Sequence, residues 1–206
     1  MSIGLRIVSG TFRGRRIEVP AHGTRPFADR VRQSLFAVLE PRLAGARVLD
    51  LCAGSGAAGF EAISRGAADV LFVERSRSAA AVIRRNAAML DCGAKISVRV
   101  DDAASAARAA SNGPGAGPFD IVIFDPPYDN TALRTSVLTS LAAAGSPLGP
   151  RGLLVASRRR TRGGGAAAAP VGLRLVRTLE FGETVIVLLE RVGSSLESNG
   201  EAKEGA

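Results

Sequence analysis

The stretch that most constrains the fold is "VLDLCAGSGAAG", residues 48–59. An apolar run ends there in a G-x-G-x-x-G turn formed by Gly54, Gly56 and Gly59. Glycines let the backbone approach a ligand closely, and the helix that follows presents free N–H groups. The turn therefore predicts a strand–turn–helix unit that holds a nucleotide-like cofactor. NAD, FAD and S-adenosylmethionine all fit. Glu74, about 20 residues on, suits a ribose in any of them.

The rest of the chain alternates strands and helices from Arg47 onward. Apolar runs such as "DVLFVER" and "FDIVIFD" alternate with helical stretches such as "SAAAVIRRNAAML". This pattern predicts an α/β fold with a parallel sheet covered by helices on both faces. The end differs, because "LRLVRTLEFGETVIVLLER" reads as an antiparallel hairpin that turns at Gly182. A mostly parallel sheet that finishes in such a hairpin indicates a Rossmann-like class I S-adenosylmethionine-dependent methyltransferase.

A short basic segment precedes this domain. "LRIVSG" and "IEVP" flank the turn-like "TFRGRR", which predicts a β-hairpin, and "ADRVRQSLFAVLE" has the apolar spacing of an amphipathic helix. We expect an N-terminal extension over 1–26, a methyltransferase domain over 27–192 and a disordered tail over 193–206. Residues 111–118 and 161–170 are expected to be surface loops.

The charge predicts a polyanionic partner. The chain has a formal net charge of +8, and such basic proteins often bind nucleic acid. More than half of this excess lies in residues 1–32, where seven arginines face two carboxylates. Clustered arginines indicate phosphate contacts, although a solvated arginine-rich face is the alternative. "RRRTR" at 158–162 is a second candidate. The predicted RNA contacts are Arg13, Arg15, Arg16, Arg25, Arg30 and Arg32.

The cysteines and the N-terminus indicate the compartment. Cys52, Cys92 and the single histidine, His22, lack the spacing of metal ligands, so we expect no metal. No apolar run is long enough for a signal peptide or a membrane span. The expectation is a reduced, soluble, cytoplasmic protein.

The loop "DPPY" discriminates between the cofactors. Asp125-Pro126-Pro127-Tyr128 directly follows an apolar strand. The prolines fix the backbone and remove two N–H donors, so the loop presents acceptors. The Asp125 carboxylate and the Pro126 carbonyl suit a planar amino group, while Tyr128 can stack on the ring that carries it. These contacts favour a more nucleophilic amine, and Asp125 could later accept its proton. A nicotinamide enzyme has no use for such a loop.

The whole pattern resembles the RsmD family. The similarity rests on the successive blocks "RIVSGTFRGRRIEVP", "TRPFADRVRQSLF", "DLCAGSGAAGFEAISRGA", "FDIVIFDPPY" and "FGETVIVLLER", from about Arg6 to Arg191. The resemblance implies methylation of the 2-amino group of a guanine in bacterial 16S ribosomal RNA, with S-adenosyl-L-methionine as donor and the small subunit or its assembly intermediate as partner.

The resemblance also implies roles for individual residues. Asp102 and Ala103 would contact the adenine of the cofactor, with Asp101 as a substitute for Asp102, and Glu74 would hold the ribose. The target guanine would lie against Asp125, Pro126, Pro127 and Tyr128. The methionine part would be held by Asp50, Ala53, Gly54, Ser55 and Gly56.

Some residues depart from the family pattern, and other functions stay open. Phe27, Gln33 and Ala156 stand where the family usually has a small hydroxyl residue, Glu and often Glu, respectively. The alternatives are a DNA adenine-N6 or cytosine-N4 methyltransferase, a non-catalytic RNA-binding or assembly factor, and an NAD-binding reductase.

Overall fold

A computed structural model describes residues 4–21, 29–109, 117–161 and 169–192. Its helices are α1 (Asp29–Leu39), α2 (Ala57–Ser64), α3 (Arg77–Leu90), α4 (Ala103–Ala109) and α5 (Thr131–Ala142), with short 3-10 turns at Glu40–Arg42 and Gly93–Lys95. Its strands are β1 (Leu5–Arg6), β2 (Arg16–Ile17), β3 (Arg47–Leu51), β4 (Asp69–Val73), β5 (Ile96–Arg99), β6 (Phe119–Phe124), β7 (Leu148–Arg159), β8 (Leu173–Phe181) and β9 (Thr184–Arg191).

The central sheet confirms the predicted fold class. Within the described ranges it has the order β5-β4-β3-β6-β7-β9-β8. The first five strands pair in parallel, whereas β9 pairs antiparallel with both β7 and β8. From β3 the chain continues outward to β4 and β5 on one side of the sheet, and then returns to form β6 and β7 on the other side. The order therefore reverses between the neighbouring strands β3 and β6. Open α/β sheets bind ligands beside such a reversal, at the carboxyl ends of the strands.

Helices cover both faces of the sheet because each strand alternates its side chains between two cores. Val48 and Ile123 pack in the core that includes α1, α2 and α3. Leu49 and Phe124, one residue further along the same strands, pack in the core that includes α4 and α5. Burial on both faces explains why these strands are apolar throughout. Among the described residues, no helix is long and apolar enough to cross a membrane.

The N-terminal hairpin is short and docks on α2. Leu5 pairs with Ile17 in antiparallel register, and Ile17 is buried in the same core as α1 to α3. The carboxylate of Glu61, itself buried, accepts hydrogen bonds from the backbone N–H groups of Val8 (2.8 Å) and Ser9 (3.0 Å). The hairpin therefore shares the hydrophobic core of the main domain.

The C-terminal hairpin turns at Gly182, as predicted. Gly182 has a φ of 58°, the left-handed region that favours glycine. Strand β7 extends at both ends beyond "GLLVAS", residues 152–157, the run that the sequence predicts as this strand, and it includes an irregular stretch before Gly152. Most of the two predicted surface loops, the boundary at residues 26 and 27, and the predicted tail lie outside the described residues.

Candidate active site

The glycine turn joins β3 to α2 through unusual backbone angles. Cys52, Gly54 and Gly56 have φ values of 61°, 59° and 78°. Left-handed angles are routine for glycine but cost energy at Cys52, and such strained positions cluster at functional sites. The turn is held from inside, since Gly56 N–H donates to the carbonyl of Ala53 at 2.8 Å.

The third glycine of the motif has a packing role. A Cβ atom on Gly59 would lie 2.2 Å from the ring of Phe72 on β4. Glycine is therefore required for α2 to pack this closely on the sheet. The Gly59 N–H also donates to Asp50 Oδ2 at 3.0 Å, which ties the helix to the end of β3.

Glu74 lies directly after β4 and braces the turn. Its Oε2 accepts from Gly54 N–H at 2.9 Å, and its Oε1 accepts from Ser76 N–H at 2.8 Å. In a dinucleotide-binding turn, such a glycine N–H faces the diphosphate. Here it faces a carboxylate instead. Each carboxylate oxygen can accept more than one hydrogen bond, so Glu74 retains the capacity to bind ribose hydroxyls.

Asp50 is a buried carboxylate near the end of β3. It is 3 % exposed. Burial raises the pKa of Asp50 to about 7, although the hydrogen bond from Gly59 lowers it, and the charges of Asp125 and Glu74 raise it further. The carboxylates of Asp125 and Glu74 thus disfavour the ionised form of Asp50.

The site is strongly acidic. Burial raises the pKa of Cys52 to about 12, and the carboxylates of Glu74, Asp50, Asp125 and Asp102 raise it as well. Four acidic groups therefore surround the glycine turn. A cationic ligand is stabilised by such surroundings, whereas a diphosphate would be repelled.

The DPPY loop lies beside the glycine turn, as expected from the strand order. Leu51 at the end of β3 is paired with Phe124 at the end of β6, so Asp125 begins its loop next to Cys52. The Ser157 hydroxyl donates to Asp125 Oδ1. Burial raises the pKa of Asp125 to about 6, and the bond from Ser157 opposes that rise.

Tyr128 is anchored to the C-terminal hairpin. Its hydroxyl shares a hydrogen bond of 2.9 Å with Thr184 Oγ1, at the start of β9. Pro126 is buried and Pro127 is exposed. The hairpin that distinguishes this sheet from an all-parallel one thus also fixes the aromatic ring of the loop.

The residues predicted for adenine lie at the start of α4. Asp102 Oδ1 accepts from the backbone N–H groups of Ala104 (2.9 Å) and Ser105 (3.2 Å), which is the geometry of a helix cap. Asp101 Oδ1 accepts from Asp102 N–H at 2.8 Å. Ala103 is buried in the first turn. Adenine recognition by Asp102 and Ala103 stays a prediction, with Asp101 as its alternative.

Two interior polar residues of the site were missed by the sequence analysis. Ser157 directly follows the apolar run Leu153–Ala156 of β7 and is itself buried, a signal that could have indicated its contact with Asp125. Asn86 is fully buried in α3 and links the hairpin to the glycine turn. Its Oδ1 accepts from Glu18 N–H at 2.8 Å, and its Nδ2 donates to the carbonyls of Glu18 (3.0 Å) and Ser55 (3.2 Å).

Apart from Arg32, the predicted RNA-binding arginines separate into three groups. Arg25 lies outside the described residues, whereas Arg13 and Arg30 are exposed. Arg15 and Arg16 are exposed too, but they also donate to backbone carbonyls, Arg15 to that of Leu90 at 3.3 Å and Arg16 to that of Gly4 at 3.1 Å.

Arg32 requires a correction. It is 1 % exposed and donates to the carbonyl of Arg6 at 2.6 Å and to Asp29 Oδ1 at 2.8 Å. The helical pattern of α1 put one arginine on the buried face, where it ties the helix to β1. Its guanidinium therefore has a structural role and is not an RNA contact in this conformation.

The sheet order, with the glycine turn and the DPPY loop at the carboxyl ends of neighbouring strands, is the Rossmann-like fold of class I methyltransferases. The profile of the family described as "Conserved hypothetical protein 95" matches residues 5–190, and the chain belongs to this family, the RsmD family of the sequence analysis. Among the described residues, no group of three or more histidine, cysteine or acidic side chains is arranged to hold a metal ion.

Curated relatives include proteins named "Ribosomal RNA small subunit methyltransferase D". The chain is 38% identical over 134 residues to that of Escherichia coli K12, and the match covers 65% of each chain. It is 36% identical over 126 residues to that of Haemophilus influenzae, covering 60% of this chain and 64% of the relative. The chain thus matches slightly less than two thirds of these relatives' length.

Solved structures agree over more of the chain. The structure of yhhF from Escherichia coli superposes with a TM-score of 0.79 at 32% identity, covering 91% of this chain and 98% of that one. TrmN from Thermus thermophilus, at 23% identity and a TM-score of 0.63, covers 79% of this chain and 48% of its own, and shows a shared fold alone.

Proposed function

We propose that the protein transfers the methyl group of S-adenosyl-L-methionine to the exocyclic N2 amine of a guanine in 16S rRNA of the small ribosomal subunit. One observation carries the proposal: the register of β3 with β6 brings an acidic glycine turn and a DPPY loop together. The names of the relatives support ribosomal RNA as the substrate. Such a substrate would place the enzyme in the cytoplasm.

The residues around the glycine turn fit this cofactor. S-adenosylmethionine, when bound, supplies an electrophilic methyl group on a sulfonium centre. Glu74 provides a carboxylate beside the turn, and a bound sulfonium with its α-ammonium group would favour the ionised form of the buried Asp50. Ala53, Gly54, Ser55 and Gly56 would border the methionine part. Glu74 would hold the ribose, and Asp102 with Ala103 would hold the adenine.

The DPPY loop would bind the target base. The guanine must leave its stacked position for its amine to reach the methyl group. Asp125 and the Pro126 carbonyl would accept the two amine hydrogens, with Pro127 fixing the loop and Tyr128 stacked on the ring. A bound donor would supply its methyl group to the lone pair of this amine and leave as the neutral thioether, and Asp125 would accept the proton that the nitrogen releases.

The decisive experiment is methyl transfer to small subunits. We would incubate the protein with labelled S-adenosylmethionine and 30S particles from a strain that lacks the enzyme, and map the modified base. We expect label at one guanine of 16S rRNA, and Asp125→Ala should abolish it while cofactor binding persists. Label on naked DNA alone would favour a DNA methyltransferase, and a lack of cofactor binding by calorimetry would favour a non-catalytic assembly factor.

A further inference from the structure

An arginine cluster borders the DPPY loop on the side of α5. Its members are not equally neutralised. Arg159 pairs with Glu183 at 3.5 Å, and Arg160 pairs with Glu180. The cluster consists of these two arginines with Arg134 and Arg158. Among the described residues, no carboxylate forms an ion pair with Arg134 or Arg158.

The two guanidiniums without an ion pair lie close together. Arg134 is partly buried and donates to the carbonyl of Ser157. Its pKa is lowered by burial and by the positive charge of Arg158. Arg158 donates through Nη1 to the carbonyl of Arg159 at 3.3 Å, while its Nε is buried without a hydrogen-bond partner. Holding the positive charges of Arg134 and Arg158 close together therefore costs folding free energy.

Their position relates them to the target base. Ser157 faces Asp125, and side chains alternate along a strand, so Arg158 points to the face of Ala156, which packs in the core with α5. Ser157 links Arg134 to Asp125 by two hydrogen bonds: its carbonyl accepts from Arg134, and its hydroxyl donates to Asp125.

A phosphate group matches what this pair requires. Guanidinium groups bind phosphate oxygens through paired N–H donors, and the ligand's charge would offset the repulsion between the two arginines. A ligand would also give Arg158 Nε the partner that it lacks. An RNA strand whose base enters the DPPY loop has phosphates within one nucleotide of that loop.

We propose that Arg134 and Arg158 bind a backbone phosphate of the RNA strand that carries the target base. This inference rests on the proposed function. It assigns a second RNA contact, on the side of the site opposite to the N-terminal arginines, and it gives a role to the "RRRTR" segment that the sequence left open.

The test compares Arg158→Gln with Arg160→Gln in the full-length protein. Arg160 has the same charge two residues away, but it is paired with Glu180. We would measure binding to transcribed 16S rRNA by filter binding over a range of KCl concentrations. Each lost phosphate contact reduces the slope of log K against log salt by roughly 0.7 to 0.9. Arg158→Gln should therefore weaken binding about fivefold near physiological salt, and Arg160→Gln should match the wild type.

Two further variants separate charge from folding. Arg158→Lys keeps the charge and should restore most of the salt slope. Arg134→Gln should reduce the slope like Arg158→Gln, with its thermal unfolding recorded in parallel because it also holds Ser157. If Arg158→Gln keeps the wild-type slope while the wild type methylates 30S particles, the phosphate site is wrong and the proposed function stands. If the wild type neither binds this RNA nor methylates 30S particles, both fail.

Discussion

Ser157 on β7 donates its hydroxyl hydrogen to Oδ1 of Asp125, at the start of the DPPY loop. The bond crosses between neighbouring parallel strands, β6 and β7. It fixes one oxygen of the carboxylate, and in the proposed function the other oxygen would accept a hydrogen bond from the target amine. It also favours the ionised form of Asp125, because a donated hydrogen bond stabilises negative charge.

Ser157→Ala should therefore impair methyl transfer most at low pH. The carboxylate must be ionised to accept the amine, and losing the bond raises the pKa of Asp125 further above its ordinary value. The acid limb of the kcat/KM profile should move to higher pH, with a loss of about tenfold below pH 6. Ser157→Thr keeps the hydroxyl and should retain the wild-type limb. An unchanged limb in the alanine variant would exclude Ser157 from this positioning role.

Glu74→Gln should weaken cofactor binding and destabilise the fold. Glutamine offers only one acceptor oxygen where Gly54 and Ser76 each need one. We expect a loss of about 1–3 kcal/mol in the free energy of unfolding and a cofactor Kd raised at least tenfold, measured by calorimetry. Glu61→Gln is the matched control, since Glu61 is another buried carboxylate that accepts backbone N–H bonds. It should lose stability and keep its cofactor affinity.

Asn86→Ala should destabilise the protein and also weaken cofactor binding, because Asn86 holds both the N-terminal hairpin and the glycine turn. The change leaves Glu18 and the Ser55 carbonyl without their side-chain partner. We expect about 3 kcal/mol of destabilisation in urea unfolding and weaker cofactor binding. Asn86→Asp keeps the acceptor for Glu18 N–H and should be less harmful to stability than alanine. Wild-type cofactor affinity in Asn86→Ala would show that Ser55 holds its position unaided.

Arg32→Ala should reduce stability, whereas Arg13→Ala should change RNA binding without changing stability. Arg32 is buried and bonded to β1, so its removal should cost several kcal/mol of stability. Arg13 is exposed, so Arg13→Ala should leave the melting temperature unchanged and flatten the salt dependence of RNA binding. Thermal unfolding and filter binding measure the two effects. A stable Arg32→Ala protein with reduced salt dependence would restore Arg32 as an RNA contact.

Asp50→Asn should change how stability depends on pH. Burial raises the pKa of Asp50 to about 7 in the folded state, so folding favours its protonated form. Ionisation of Asp50 should therefore lower the wild-type free energy of unfolding progressively between about pH 4 and about pH 7. The variant lacks this titration and should exceed the wild type by at most about 4 kcal/mol at pH 8. We would measure the free energy of unfolding in urea for both proteins across this pH range. If the two profiles were parallel, ionisation of Asp50 would not destabilise the fold and the prediction would be wrong.

Much of the fold could be predicted because its signals are local. Apolar runs, helical spacing and the turn at Gly182 depend on residues near one another in the chain, and each predicted element is present wherever the structure describes it. The start of β7 was missed, since its irregular pairing with β6 leaves no periodic pattern.

The sequence by itself determined the fold class and the two loops that meet at the site, because the glycine turn and DPPY each follow an apolar strand. Only the tertiary structure decided what surrounds those loops. Strand order placed Ser157 against Asp125 and Thr184 against Tyr128, although 32 and 56 residues separate them. It also buried Arg32 and left Arg134 beside Arg158. Burial and charge pairing depend on contacts between distant segments, which spacing along the chain does not encode.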